Sequence, residues 1–184
     1  MMAKPNEENL IALVDSAKNG NKDAFSELYE YYITPIFRFV YFRVRSRADA
    51  EDLTQGIFLK VWTSLPGYKQ KNRFSSWLYA VARNTVIDFW KKKKDWNISE
   101  LGKETIKDKS KPIDETVDEE RDLEKIRDLM ELLTDEQQEI MILKFIQGLS
   151  NREISKILGK SEDALRQLQM RAIKTLKEYL KEKL

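Results

Sequence analysis

The sequence contains no cysteine and no histidine. Without cysteine the chain has no disulfide, zinc–thiolate site or thiol chemistry, and without histidine it lacks the commonest acid–base group and metal ligand. No uncharged run approaches the roughly 20 residues that a membrane helix needs, and the N-terminus lacks the basic start and long apolar run of a secretory signal. We therefore expect a cytoplasmic chain with no membrane insertion, no cofactor, no bound metal and no catalytic residue.

Glycine and proline are also scarce, with 6 and 4 among 184 residues. Apolar residues recur at intervals of three and four, which predicts helices almost throughout. Aromatic residues are unevenly spread, because only Phe145 and Tyr179 lie beyond Trp96. The two halves must therefore be held by different cores. We predict an all-α fold of two small helical domains joined by a flexible linker.

The linker is predicted over residues 96–117, where charges are mixed, periodicity is weak and a proline occurs. It separates a first domain over residues 1–95 from a second over residues 118–184. Polar residues suited to helix N-termini precede several of the periodic segments, and three of them form a candidate capping box with the residue three positions later. The candidate caps are Asn21, Ser46, Thr134, Ser150 and Ser161.

The formal net charge of +2 conceals charge blocks of opposite sign. Residues 69–94 hold eight basic residues and one acid, and residues 152–184 hold nine basic residues and five acids. Between them, residues 113–124 hold seven acids and one base. Two basic blocks suit a polyanionic partner, which predicts nucleic-acid binding by both domains.

Residues 74–94, FSSWLYAVARNTVIDFWKKKK, predict an aromatic-rich amphipathic helix that runs into four lysines. Aromatic rings stack on unpaired bases and lysines hold phosphates, so this helix combines two ingredients of single-strand binding. Most of its aromatic and aliphatic residues are nevertheless expected in the core. Tyr68, Asn72 and Arg73, in the preceding loop, are better candidates for contact with an unpaired strand.

Near the C-terminus the sequence predicts a helix-turn-helix, with a short helix, a turn at Gly159 and a long helix. The residues expected to pack the two helices together are Ile154, Leu158, Leu165, Leu168 and Ala172. The second helix of such a motif enters the major groove, where arginine pairs with guanine and glutamine with adenine. On its outer face and flanks we expect Asp163, Arg166, Gln167, Met170, Arg171 and Lys174.

An acidic stretch, ADAEDLTQGIF over residues 48–58, places Asp49, Asp52 and Gln55 on neighbouring exposed positions of a helix. From the residues alone, this face is either a solvated acidic surface or a docking surface for a basic partner helix.

Together these segments resemble bacterial sigma factors of the extracytoplasmic-function group. The resemblance rests on four stretches in that family's order, over residues 23–44, 48–62, 74–94 and 133–176. It implies that the chain directs promoter-specific transcription initiation. It also implies core RNA polymerase, promoter DNA and an anti-sigma factor as partners.

The resemblance also implies site residues. Those implied to bind polymerase are Asp49, Asp52, Leu53, Gln55 and Phe58. Those implied for the minus-ten element, together with the loop and lysine candidates, are Tyr68, Asn72, Arg73, Arg83, Asn84, Lys91, Lys92, Lys93 and Lys94. Those expected at the minus-thirty-five element are Ser161, Arg166, Gln167, Met170, Arg171 and Lys174.

The sequence departs from the family pattern at two places: Gly56 stands where an acid is usual, and Leu168-Gln169 replaces a commoner Arg-Leu. Two other functions remain open. LSNREISKILGKS also resembles the helix-turn-helix of response-regulator output domains, which would require a receiver or ligand domain upstream. A small carboxylate–metal enzyme, such as a nuclease, would use Asp49, Glu51 and Asp52.

Overall fold

The computed structural model describes residues 7–44, 46–69, 73–99 and 117–183. The chain divides into two compact units, Met1–Lys107 and Asp108–Leu184. Every regular element within the described ranges is a helix or a helical turn. The predicted all-α class is therefore confirmed, and no helix in these ranges is long and apolar enough to cross a membrane.

In the part of the first unit that the structure describes, there are four helices and a short 3₁₀ turn. They are α1 Glu7–Lys18, α2 Lys22–Tyr41, α3 Arg47–Ser64, the turn Leu65–Gly67, and α4 Phe74–Ser99. Large side chains of α2, α3 and α4 meet in one core, where Phe39, Ile57 and Leu78 are fully buried. The ring edge of Tyr79 packs on Phe39, with ring centroids 5.6 Å apart. The aromatic residues concentrated in this half therefore do form its core.

The described residues of the second unit, 117–183, form four further helices and a π-helical turn. They are α5 Val117–Met130, α6 Asp135–Met141, the turn Ile142–Ile146, α7 Asn151–Leu158 and α8 Glu162–Lys183. Its core is aliphatic, with Ile140, Leu143, Ile154 and Leu165 fully buried. The two units thus have the different cores that the composition predicts.

All five predicted N-terminal caps are confirmed by hydrogen bonds. The Asn21 side chain accepts from the backbone of Asp23 and Ala24, and the Ser46 hydroxyl accepts from Asp49 at 3.1 Å. Thr134 and Ser150 form reciprocal capping boxes with the residues three positions later. The Ser161 hydroxyl accepts from the Ala164 backbone at 3.2 Å. Local side-chain chemistry alone is thus enough to predict where these helices begin.

The predicted linker is only partly covered by the described residues. Helix α4 continues to Ser99, so it passes the predicted domain boundary, and α5 begins at Val117. Residues 100–116, and with them the predicted flexibility of the linker, lie outside the described residues.

The helix-turn-helix packs as predicted at three of the five expected positions, whereas Leu158 and Leu168 are only half-buried. Ile154, Leu165 and Ala172 are fully buried, and Gly159 adopts φ +66° at the end of α7. Ile157 is buried beside them, while Leu158 is only half-buried. In an eight-residue helix, Ile157 and Leu158 both lie near the side that faces the core. The angle at which α7 crosses α8 decides which of the two is buried.

Replacing Gly159 with alanine is expected to lower the free energy of unfolding of the second unit by about 1–2 kcal/mol. A Cβ at this position would meet nothing within 4 Å, so the cost arises from the left-handed backbone alone. Asparagine tolerates that conformation and should recover part of the loss. The measurement is urea unfolding followed by far-ultraviolet circular dichroism.

Tryptophan fluorescence supplies an internal control for this experiment. All four tryptophans lie at or before Trp96, so their emission follows only the first unit. Equal stability of the alanine variant and the native chain would contradict a structural requirement for glycine.

Candidate nucleic-acid interface

The basic end of α4 continues a polar face that is formed about two to three turns earlier in the helix. With 3.6 residues per turn, Lys91 and Lys94 lie within about 100° of Arg83 and Asn84 around the helix axis. The side chains of Asn84, Lys91 and Lys94 are exposed, and Arg83 is half-buried. The structure thus brings together four of the residues predicted for the minus-ten element on one face.

Lys93 is turned away from that face towards α3. Its Nζ atom lies 3.7 Å from Oδ2 of Asp49 and 5.3 Å from the centre of the Phe89 ring. A second ring, that of Trp90, lies at 5.7 Å, and the Trp90 indole donates to the Arg43 carbonyl at 3.1 Å. Lys93 therefore helps to hold α4 against the rest of the unit, whereas exposed Lys91, Lys92 and Lys94 are open to a ligand.

Tyr68 belongs to the core, which differs from its predicted place on the DNA surface. It is 5% exposed, and its ring centre lies 4.9 Å from that of Trp77 and 6.0 Å from that of Phe74. Burial, with a smaller contribution from the Asp15 carboxylate, raises the pKa of Tyr68. In this arrangement the ring has no free face on which a base can stack. Of its two predicted neighbours, Arg73 is exposed, and Asn72 lies outside the described residues.

The acidic face of α3 is narrower than the sequence predicts. Asp52 and Gln55 are exposed and lie on the same side of the helix. Between them in angle lies Leu59, which is 66% exposed. Two of the five residues predicted to bind polymerase thus share a surface with an apolar side chain outside the predicted set.

The other three residues predicted for this surface are less exposed. Phe58 is buried, with its ring 4.8 Å from that of Tyr29, and it lines the groove between α2 and α3. Asp49 faces Lys93, and Leu53 is half-buried. Because successive residues are 100° apart, a stretch of ten residues covers every side of a helix, and only part of it can face one partner.

An apolar groove between α2 and α3 adjoins Asp52 and Gln55. It has a volume of about 400 Å³ and is lined by Lys22, Phe25, Ser26, Tyr29, Phe58, Leu59 and Trp62. Leu59 belongs both to this groove and to the exposed face of α3. A sequence signal existed: Leu59 lies about 200° from Ile57 and therefore off the buried stripe of α3.

The outer face of α8 is exposed along its length. Met170 is 71% exposed, and Arg166, Gln167, Arg171 and Lys174 are exposed with it. Two carboxylates approach the Arg166 guanidinium: Nη1 lies 2.5 Å from Oδ1 of Asp163, and Nη2 lies 3.8 Å from Oε2 of Glu162. The structure therefore brings together the predicted minus-thirty-five residues, and Ser161 caps the same helix.

The Leu168-Gln169 departure from the family pattern has a local structural account, whereas nothing in the structure explains Gly56. Gln169 donates to the Asn151 side chain at 3.2 Å, so it ties α8 to the start of α7. Leu168 is half-buried beside this contact, and the inward stripe is completed by Leu165 and Ala172. Gly56 lies inside α3, where an added Cβ would meet nothing within 4 Å.

Two family models match the chain, one in each unit. The model described as sigma-70 region 2 matches residues 28–95, and the model described as sigma-70 region 4 matches residues 123–176. The first contains α3, with its side of the groove, and the basic end of α4, and the second contains the helix-turn-helix.

Curated relatives cover nearly the whole chain. It is 33% identical over 174 residues to the ECF RNA polymerase sigma factor BldN of Streptomyces coelicolor, a match that covers 93% of this chain and 66% of BldN. It is 26% identical over 169 residues to the ECF RNA polymerase sigma factor SigX of Bacillus subtilis, covering 86% of this chain and 84% of SigX.

Solved structures share the fold at lower sequence identity. CnrH, solved with the cytosolic domain of CnrY, matches with a TM-score of 0.73 and 20% identity over 93% of this chain and 96% of CnrH. The sigma factor RpoE of Bartonella quintana, solved with the anti-sigma factor NepR, matches with a TM-score of 0.72 and 22% identity, covering 85% of this chain and 96% of RpoE.

Proposed function

Because this chain belongs to the sigma-70 family, within its extracytoplasmic-function group, we propose that it binds core RNA polymerase and directs transcription initiation at a specific set of promoters. The observation that carries this proposal is the presence of both units in one chain, each with an exposed surface of the matching chemistry. In the first unit, the polar face of α4 suits unpaired DNA and the exposed face of α3 suits polymerase. In the second unit, the outer face of α8 suits duplex DNA.

The minus-thirty-five element is read by the outer face of α8. Its N-terminal half offers Arg166 and Gln167, whose donors match the major-groove edges of guanine and adenine. Met170 offers an exposed thioether that suits the methyl group of thymine. Arg171 and Lys174 lie further along the helix, where contact with phosphates fixes the position of the helix in the groove.

The minus-ten element is held by α4. Lys91 and Lys94 neutralise phosphates, while Arg83 and Asn84 on the same face contact the strand separated from the duplex. Arg73, at the start of this helix, is an exposed candidate for the same strand. Unstacking a base costs a few kcal/mol. The contacts of the lysines with phosphates and of the other side chains with the separated strand offset that cost.

Core polymerase docks on the exposed face of α3 and on the groove beside it. Asp52 and Gln55 offer an acid and an amide to a basic partner helix, and Leu59 continues this face into the groove. Apolar contact at the centre with polar contact at the rim is the usual composition of a protein interface.

The chain itself carries no catalysis, and nucleotide addition with its magnesium belongs to the polymerase. Glu51 is bonded to Arg47 at 2.9 Å and Asp49 faces Lys93, so two of the carboxylates considered for a metal enzyme already have cationic partners. Acting with polymerase, the chain works in the cytoplasm. An anti-sigma factor is a further proposed partner, since RpoE is solved with one.

The response-regulator alternative is not favoured. It requires a receiver or ligand domain of alternating strands and helices before the helix-turn-helix. The described part of the first unit is helical and matches sigma-70 region 2 instead.

Run-off transcription with purified core polymerase tests the proposed function. A library of bacterial promoter fragments is transcribed with and without the chain, and the start sites are mapped. We expect discrete start sites that require the chain and share an upstream and a downstream sequence element. Failure of the chain to associate with core polymerase, or start sites without selectivity, would overturn the proposal.

A further inference from the structure

The arginine at the start of the recognition helix is already bonded to an acid of its own helix. Asp163 precedes Arg166 by three residues, and the two side chains form an ion pair with a hydrogen bond at Nη1. Both side chains remain largely exposed, at 83% and 60%. The pair thus lies on the surface that the proposed function assigns to DNA.

An acid in the first turn of a helix is stabilised by the helix dipole, whatever stands beside it. The dipole therefore accounts for Glu162 and Asp163 but not for the direction of the Arg166 side chain. An arginine guanidinium carries five N–H donors in a planar fork, and a bidentate contact with guanine uses two of them. Asp163 bonds the Nη1 end, and Glu162 lies 3.8 Å from Nη2, beyond hydrogen-bond distance, so donors on Nη2 and Nε remain for a base edge.

The same acids change how Arg166 responds to phosphates. Two carboxylates flank one guanidinium, so the first turn of α8 carries a net negative charge. DNA phosphates are repelled by that charge, whereas Arg171 and Lys174 lie two and three turns into the helix, away from it. Phosphate affinity is therefore concentrated in the C-terminal part of the outer face.

We propose that Asp163 is a positioning residue that aims Arg166 at a guanine edge and keeps it from phosphates. This inference rests on the proposed function of α8. The first turn of the helix then sets which upstream element is chosen, and the later turns set how tightly DNA is held. A side chain held in one direction before binding loses less conformational freedom on binding, which favours the matching site.

A double-mutant cycle in the holoenzyme tests the proposal. The chain, D163A, R166A and the double variant are each assembled with core polymerase. Each is then measured by competition on the promoter, on fragments with one base pair changed in the upstream element, and on a duplex without a promoter. D122A is the matched control, since Asp122 forms a similar exposed pair, 2.9 Å from Lys125 and three residues before it, on α5.

For the native chain we expect one G·C pair whose replacement weakens binding by about tenfold or more. R166A should remove that discrimination. D163A should reduce it by about threefold or more at the same base pair and raise affinity for the promoter-free duplex by about two- to fivefold. Once Arg166 has been replaced, the further removal of Asp163 should cause no additional change in binding at that base pair. D163N keeps an acceptor for Arg166 and should restore part of it.

Several outcomes would overturn the inference. If D163A alters discrimination at a different base pair, or still alters it without Arg166, Asp163 reads a base itself, as an acceptor from cytosine would. If D163A behaves as D122A does, the effect is only one of net charge. If R166A leaves every base preference unchanged, the proposed role of Arg166 in reading a base fails together with the inference. In the other two cases that role stands.

Discussion

Reversing the charge of Asp52 with lysine is expected to weaken association of the chain with core polymerase by at least about tenfold. Asp52 is exposed on the face of α3 that we propose as the docking surface, and it is suited to a basic partner helix. A lysine there would be opposed by the partner's like charges, and like charges in contact cost several kcal/mol. The measurement is equilibrium binding of labelled chain to purified core enzyme.

Leu59→Asp tests the apolar part of the same surface. Leu59 is 66% exposed and lines the groove, so a carboxylate there disturbs docking without removing a buried side chain from the fold. Glu27→Lys is the matched control for Asp52→Lys, because Glu27 is exposed on the side of α2 away from the groove. Undiminished binding by both the Asp52 and the Leu59 variants would refute the docking surface.

Removing Lys91 and Lys94 together is expected to weaken promoter binding by a similar factor at all promoters and to flatten its salt dependence. Each phosphate neutralised on DNA contributes about 0.7–0.9 to the slope of log K against log salt. Loss of two such contacts should therefore reduce the slope by about 1.4–1.8. The measurement is holoenzyme binding to two unrelated promoters between low and moderate salt.

Lys93→Ala is the internal contrast for this experiment. Its ammonium group already faces Asp49 and the rings of Phe89 and Trp90, so its removal should change the slope less than the double variant does. It should instead loosen the attachment of α4, which is measured as a lower thermal midpoint of the first unit. A changed promoter preference with an unchanged salt slope in the double variant would contradict the assignment of these lysines to phosphates.

The starts of the five capped helices are predictable from sequence because caps act between near neighbours. Asn21, Thr134 and Ser150 each bond a backbone group within three residues, and the left-handed turn at Gly159 is likewise a local property. The π-helical turn Ile142–Ile146 was not predicted, since the widened turn leaves the apolar spacing of the segment nearly unchanged. The four family-like segments and the outer face of α8 were also found without coordinates, because helical periodicity assigns the residues to inner and outer faces.

The sequence by itself determined the helical class, the helix starts, the helix-turn-helix and the family. Each of these depends on local hydrogen bonding or on periodicity along one helix. Tertiary structure alone decided that Tyr68 is in the core, that Lys93 faces Asp49 across two helices, and that Leu59 opens onto a groove. Those facts depend on how α2, α3 and α4 pack together, and a helical period shows which residues share a face but not which neighbour covers it.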